Sequence, residues 1–169
     1  MIARVAEPTA RPILDAEHAA FVLLPGISMT AASRAGANLP ELGRVHGCRV
    51  AADRTRVTVL VPGDQYPGLV AAIRATRAIA VVYSLPKTHR TIQLKGTDAA
   101  VEPLAPGDAE LAAQATESFA AGLGALGYNE TMVRAAVWYE PAALVAIGFT
   151  PCAAFQQTPG PRAGAPLAA

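Results

Sequence analysis

One segment of the chain is rich in side chains that bind polar or anionic molecules. Residues 88–96 read THRTIQLKG, and in a β-strand successive side chains point to opposite faces of the sheet. The polar side chains that then share one face are His89, Thr91, Gln93 and Lys95. Such groups donate hydrogen bonds, so this face would suit a polar, anionic ligand. The alternative is an ordinary strand face turned to solvent.

Positive charge is concentrated around this segment. Residues 34–95 contain ten Lys and Arg residues and three acids, whereas residues 96–169 contain two basic and seven acidic residues. The net charge of only +1 argues against a protein that binds nucleic acid non-specifically. A basic middle segment favours a compact anion site there. The alternative is that the basic and acidic halves simply pair with each other.

The chain shows no sequence motif of a catalytic site. The nucleophile, zinc-protease and P-loop patterns are absent, and the glycine-rich run over 122–127 follows a predicted helix rather than the strand that a dinucleotide site needs. The three histidines, His18, His46 and His89, lie on different predicted elements, so no metal site is expected. No catalytic residue can be named, and any chemistry is expected to come from a bound cofactor.

The hydrophobic pattern predicts an α+β fold of antiparallel strands with peripheral helices. Helices are predicted over 15–24, 64–76, 108–126 and 129–135. Strands are predicted over 27–33, 42–51, 56–61, 78–84, 88–96 and 142–149, with the fifth continuing toward residue 102 and the sixth extended by 152–157. Asp15 and Asp64 are expected to cap the first two helices. Six short strands that close on themselves would leave no open sheet edge.

The composition favours one domain in a reducing compartment. We expect a lead-in over 1–14, the domain over 15–157 and a flexible Pro/Gly/Ala-rich tail over 158–169. The first residues lack the apolar core of a signal peptide, and no stretch is long and apolar enough to span a membrane. Cys48 and Cys152 are expected to be free thiols, although a disulfide between them stays open. The prediction is a cytoplasmic protein without a membrane or nucleic-acid partner.

A longer stretch of the sequence resembles a known family. Residues 78–96, AIAVVYSLPKTHRTIQLKG, resemble the strand–turn–strand of the pyridoxamine 5′-phosphate oxidase-like FMN-binding split barrels. That family shows an apolar strand, a short turn and then an Arg-aliphatic-Gln-aliphatic-Lys-Gly type of strand. Residues 15–33, 34–50 and 56–76 resemble the preceding elements in the same order, so the resemblance spans about 15–103.

The resemblance implies a six-stranded antiparallel split β-barrel with peripheral helices. It also implies a homodimer that holds FMN in a groove at the dimer interface and acts as an oxidoreductase of unknown substrate. Basic side chains of the second strand would hold the phosphate, and polar residues of the first and fifth strands would lie near the flavin. By position the phosphate residues are Arg44 and Arg49, and the flavin residues are Ser33, Arg34, Gln93 and Lys95.

The sequence also departs from the family. After the third strand the family often presents Ser/Thr and Arg/Lys side chains to the phosphate, whereas residues 62–67 here read PGDQYP, with the acid Asp64 and no base. The residues that bind vitamin B6 in the true oxidases have no counterpart, so pyridoxamine-phosphate oxidation is not predicted. The alternatives are a deazaflavin cofactor, a histidine-ligated haem, or a non-catalytic barrel that acts as a binding module.

Overall fold

The computed structural model describes residues 13–167, which fold into four α-helices and nine β-strands. The helices are α1 (Ala16–Val22), α2 (Pro67–Thr76), α3 (Asp108–Gly124) and α4 (Glu130–Ala136). The strands are β1 (Ser28–Arg34), β2 (Pro40–Val45), β3 (Gly47–Val50), β4 (Val57–Pro62), β5 (Ile79–Ser84), β6 (Thr91–Gly96), β7 (Ala100–Glu102), β8 (Leu144–Phe149) and β9 (Ala153–Gln156). Two short 3₁₀ turns, Gly36–Asn38 and Pro141–Ala143, complete the elements.

The strands form two antiparallel sheets. The five-stranded sheet has the order β2-β1-β5-β6-β9, and the four-stranded sheet has the order β3-β4-β8-β7. The main apolar core contains residues of both sheets, because alternate side chains of β1 and β5 and most of β4 are buried. The prediction of an antiparallel α+β fold is therefore confirmed.

The prediction of six strands in a closed barrel needs correction. Three of the six predicted strands are each two observed strands that lie in different sheets: β2 with β3, β6 with β7, and β8 with β9. The break between β2 and β3 falls at His46, whose backbone N–H donates to the Leu60 carbonyl at 2.8 Å. The chain thus passes from one sheet to the other at these bends, and the strands of residues 13–167 form two sheets rather than one closed barrel.

The helices begin and end partly where the sequence predicts. Asp15 caps α1, since its carboxylate accepts the backbone N–H of His18 at 2.7 Å. Asp64 does not cap α2, because that helix starts later, at Pro67, and the Asp64 carboxylate accepts the adjacent N–H of Gln65. Helix α3 packs its buried face on the four-stranded sheet through Ala112. No helix of residues 13–167 combines the length and apolarity needed to span a membrane.

The C-terminal segment lies along β9 within the described residues. The N–H of Gln156 donates to the Ala165 carbonyl at 2.9 Å, and the N–H of Leu167 donates to the Ala154 carbonyl at 2.9 Å. The Thr158 hydroxyl accepts the N–H of Thr91 at 2.9 Å. This segment therefore hydrogen-bonds to β9 and to Thr91 of β6.

Candidate functional site

The five-stranded sheet presents one face to the core and the other away from it, and we call the second face the outer face. Cross-strand pairing places one row of outer-face residues across all five strands: Arg44, Thr30, Val82, Gln93 and Phe155. A second row carries hydroxyl groups from three strands, namely Ser28, Ser84 and Thr91. A third row is mostly small and apolar and contains Leu42, Ala32, Ala80, Lys95 and Ala153. The outer face is therefore apolar in one row and polar in the others.

The structure brings together part of the predicted site. Arg44, Gln93 and Lys95 lie on the outer face, in the first and third rows. Arg34 lies at the exposed end of β1, where its guanidinium donates to the Asn38 amide oxygen at 3.1 Å. Ser33 points to the opposite, buried face and donates to the Ala78 carbonyl at 2.7 Å. These five positions stay predictions, but only the first three share a surface that a ligand could reach.

Arg44 is a half-buried cation without a carboxylate partner in the described part of the chain. Its guanidinium carbon lies 4.1 Å from the centre of the Phe119 ring, a cation–π distance, and it forms no ion pair with any residue in 13–167. Burial lowers the pKa of Arg44, because the charged form loses solvation. A partly desolvated guanidinium gains most from a bidentate anion such as phosphate.

Arg49 lies in the other sheet and already has an anionic partner. Its Nε donates to one carboxylate oxygen of Asp108 at 2.9 Å, and its Nη2 lies 3.3 Å from the other oxygen. Asp108 is only 2% exposed and also accepts the backbone N–H of Ala105 at 2.8 Å. The pair fixes the start of α3 on β3, so Arg49 has less capacity than Arg44 for a free phosphate.

A groove opens beside the hydroxyl row of the outer face, and we call it the hydroxyl groove. Its volume is about 480 Å³, within the roughly 300–1,000 Å³ usual for small-molecule sites. It is lined by Ser28, Ser84, Pro86, Lys87, His89, Phe119, Leu123, Leu126 and Tyr128. No acidic residue within 13–167 lines it. Hydroxyl donors, two basic side chains and two aromatic rings suit a flat ligand that carries an anionic group.

Several residues of this groove cannot be found by sequence reasoning. Ser28 and Ser84 come from strands that are 50 or more residues apart in the chain, yet they pair directly across β1 and β5. Phe119 of α3 is buried, but its ring also borders both Arg44 and the groove. The sequence does indicate that Ser28, Thr30 and Ala32 share one face of β1, because they are alternate residues of that strand.

The three histidines occupy unlike environments. His18 lies 2.8 Å from the carboxylate of Asp15. His46 is 3% exposed, its Nδ1 lies 3.1 Å from the Thr116 hydroxyl, and its ring centre lies 4.3 Å from that of Tyr139 with the rings tilted by 46°. Burial, together with the charge of Arg44, lowers the pKa of His46 to about 4. His89 is exposed and is the histidine that lines the hydroxyl groove.

The two cysteines are free, and no disulfide joins them. Cys48 is buried in the core, where its thiol lies 3.6 Å from the Tyr83 hydroxyl and burial raises its pKa to about 12. Cys152 is exposed. A thiol that stays protonated at neutral pH is a poor nucleophile, so Cys48 belongs to the core rather than to a reactive site.

Comparison with models of protein families finds no match, and comparison with curated proteins finds none either. Solved structures do resemble this one. The conserved hypothetical protein Rv2991 from Mycobacterium tuberculosis has a TM-score of 0.49 at 14% identity, over 88% of each chain. A Clostridium acetobutylicum protein related to general stress protein 26, of the pyridoxinephosphate oxidase family, has a TM-score of 0.42 at 11% identity, over 76% of this chain and 77% of its own. An F420 reductase has a TM-score of 0.44 at 16% identity, over 79% of this chain and 92% of its own.

Proteins of the pyridoxine-phosphate oxidase family are thus among the solved structures to which this chain is similar, as its sequence predicts. At these identities the similarity concerns the fold. Cofactor and activity depend on the site itself rather than on the fold.

Proposed function

We propose that this protein binds FMN in the hydroxyl groove and is a flavin-dependent oxidoreductase of the split-barrel type. The observation that carries the proposal is the half-buried guanidinium of Arg44, which has no ion-pair partner among residues 13–167 and lies against Phe119, a residue that lines the groove. A buried cation without a counter-ion is costly, and a phosphate would supply the missing charge.

The residues present fit such a cofactor. Arg44 would hold the phosphate, and the Ser28 and Ser84 hydroxyls would donate to polar atoms of the ligand. Phe119 and Tyr128 offer aromatic surface to a flat ring. FMN, when bound, supplies electron and hydride transfer, while the protein supplies binding, orientation and the local electric field. Lys87 adds positive charge at the same rim, which raises the local concentration of anions.

A homodimer would complete this site, and the outer face supports one. Val82 of its first row and Ala32 and Ala80 of its third row are partly exposed, and Leu42 of the third row is 56% exposed. Small and apolar residues on a flat sheet face pack well against a second copy of the same surface. The groove lies at the edge of this face, so a partner subunit would cover one side of a bound cofactor.

The first experiment is an FMN titration of the purified protein, followed by protein and flavin fluorescence. Arg44→Gln should weaken FMN binding by about tenfold or more, because a charge-assisted bond to a partly desolvated phosphate contributes about 1.5–3 kcal/mol. The matched control is Arg74→Gln, which removes the same charge from the exposed face of α2, away from the groove. Absence of FMN binding at micromolar concentration, or equal binding by the Arg44 variant, would refute the proposal.

The absorbance spectrum of the same samples separates the alternative cofactors. A flavin shows two bands in the near-ultraviolet and visible range, and a deazaflavin titration in parallel tests the related cofactor. A sharp Soret band would instead favour haem, with His89 as the ligand to substitute first, because it is the histidine that lines the groove. A protein that stays colourless after every addition would favour the binding-module alternative.

A further inference from the structure

We infer that an apolar groove next to the hydroxyl groove binds a small apolar molecule with one anionic group, which would be the substrate class of the proposed flavin site. The apolar groove has a volume of about 290 Å³. It is lined by Pro25, Gly26, Leu85, Pro86, Lys87, Ser118, Gly122, Ala125 and Leu126. The assignment as a substrate site depends on the proposed function, whereas the chemistry of the ligand depends on the lining alone.

The two grooves are contiguous. Pro86, Lys87 and Leu126 line both of them. A molecule in the apolar groove would therefore lie beside whatever occupies the hydroxyl groove. This adjacency is what a redox cofactor needs, because electron or hydride transfer requires the two reacting molecules to be in contact.

The charge of the apolar groove selects its ligand. Among residues 13–167, Lys87 is the single charged residue that lines it, and no acid lines either groove. Lys87 is exposed and forms no ion pair with another residue of the described chain. The remaining surface is largely aliphatic side chain and glycine backbone. An apolar body with a carboxylate, sulfonate or phosphate at one end matches this combination.

Small residues keep the groove open. A Cβ atom added at Gly122 would have only the Gly26 Cα near it, at 4.0 Å, so the space beside this face of α3 is free. Gly26 has a φ of +77°, a conformation that favours glycine, and an added Cβ there would lie 3.3 Å from the Ser118 carbonyl oxygen. A larger side chain at position 122 or 125 would project into the groove without entering the core.

The test uses an apolar anionic probe, 1-anilinonaphthalene-8-sulfonate, and its neutral analogue N-phenyl-1-naphthylamine, each followed by fluorescence with the full-length protein. Lys87→Gln should weaken binding of the anionic probe about three- to fivefold, as expected for the loss of an exposed charge pair. It should leave binding of the neutral probe unchanged. Gly122→Leu and Ala125→Leu should weaken both probes by filling the groove. Arg74→Gln is the charge control and should change neither. Thermal unfolding shows whether each filling variant folds. If one of them does not fold, the other still tests whether filling the groove weakens probe binding.

FMN affinity is measured separately on the same variants. The two filling variants should bind FMN within about twofold of the parent protein, because Gly122 and Ala125 do not line the hydroxyl groove. If the probes respond as expected but FMN does not bind, the apolar-anion site stands and the flavin function fails. If FMN binds but Lys87→Gln affects both probes equally, or the filling variants affect neither probe, the inference on the apolar groove is wrong.

Discussion

Arg44 and Arg49 lie five residues apart in the sequence, yet they have opposite surroundings. Arg49 meets a carboxylate that comes from α3, 59 residues further along the chain. Arg44 faces an aromatic ring and has no carboxylate partner among residues 13–167. No local pattern in the sequence distinguishes the two arginines, because the difference arises from which helix residue each one meets after folding. The same residue type therefore acts structurally in one case and as a candidate anion ligand in the other.

The Asp108–Arg49 pair leads to a prediction on stability. Asp108→Ala should lower the free energy of unfolding by about 2–4 kcal/mol, because it removes a buried carboxylate that holds both the guanidinium and the N–H of Ala105. Urea denaturation measures the change. Arg49→Gln should cost less, since Arg49 is 41% exposed and water can replace part of its bond. An equal and small effect of both substitutions would contradict the structural role of the pair.

His46 leads to a prediction on pH dependence. Burial and Arg44 hold its pKa near 4, below the ordinary 6.5 of an unfolded chain, so protonation favours the unfolded state. The contribution of neutral His46 to the free energy of unfolding is complete above pH 6.5. It is lost as the pH falls from 6.5 toward 4, by up to about 3 kcal/mol. His46→Gln, which can still bond to Thr116, should remove this part of the pH dependence. If the free energies of unfolding of the parent and of His46→Gln change in parallel over that pH range, the prediction is wrong.

At the scale of elements, the sequence predicts where strands run but not where they change sheets. The alternation along β5 and β6 correctly places Gln93 and Lys95 on one face. The sequence alone predicts one strand over 42–51 and does not predict the bend at His46. Helix α2 starts three residues later than the sequence predicts, because Pro67 rather than an aspartate cap fixes its first turn. Bends and helix starts depend on tertiary packing, which local patterns do not contain.

The packing of β2 on α2 gives a prediction at this scale. A Cβ at Gly43 would lie 2.8 Å from both the Leu69 Cδ2 and the Tyr66 Cγ, so the strand and the helix start can approach only because this residue is glycine. Gly43→Ala should lower the free energy of unfolding by about 1–3 kcal/mol through overpacking. Gly36→Ala is the matched control, because nothing lies within 4 Å of an added Cβ there. Equal stability of the two variants in urea would show that the contact can relax freely.

At the scale of the whole molecule, the outer face and the two grooves form one continuous surface that a single chain leaves partly open. The core between the sheets is closed, and α3 covers part of the four-stranded sheet. The outer face of the five-stranded sheet keeps Leu42 and the small residues around Val82 partly in solvent. Two copies that pair through this face would bury these residues and bring the grooves to the subunit boundary, which links assembly to cofactor binding.

This link gives the final prediction. Light scattering during size-exclusion chromatography should give about twice the chain mass of 17.4 kDa. Val82→Glu places a charge at the centre of the outer face, where pairing would strip it of water, so it should give the mass of one chain and weaken FMN binding by about tenfold or more. Ala75→Glu, the same charge on the exposed side of α2, should leave both the mass and FMN binding unchanged. A parent protein that runs as one chain yet binds FMN tightly would place the entire cofactor site within a single subunit and exclude the outer face as part of it.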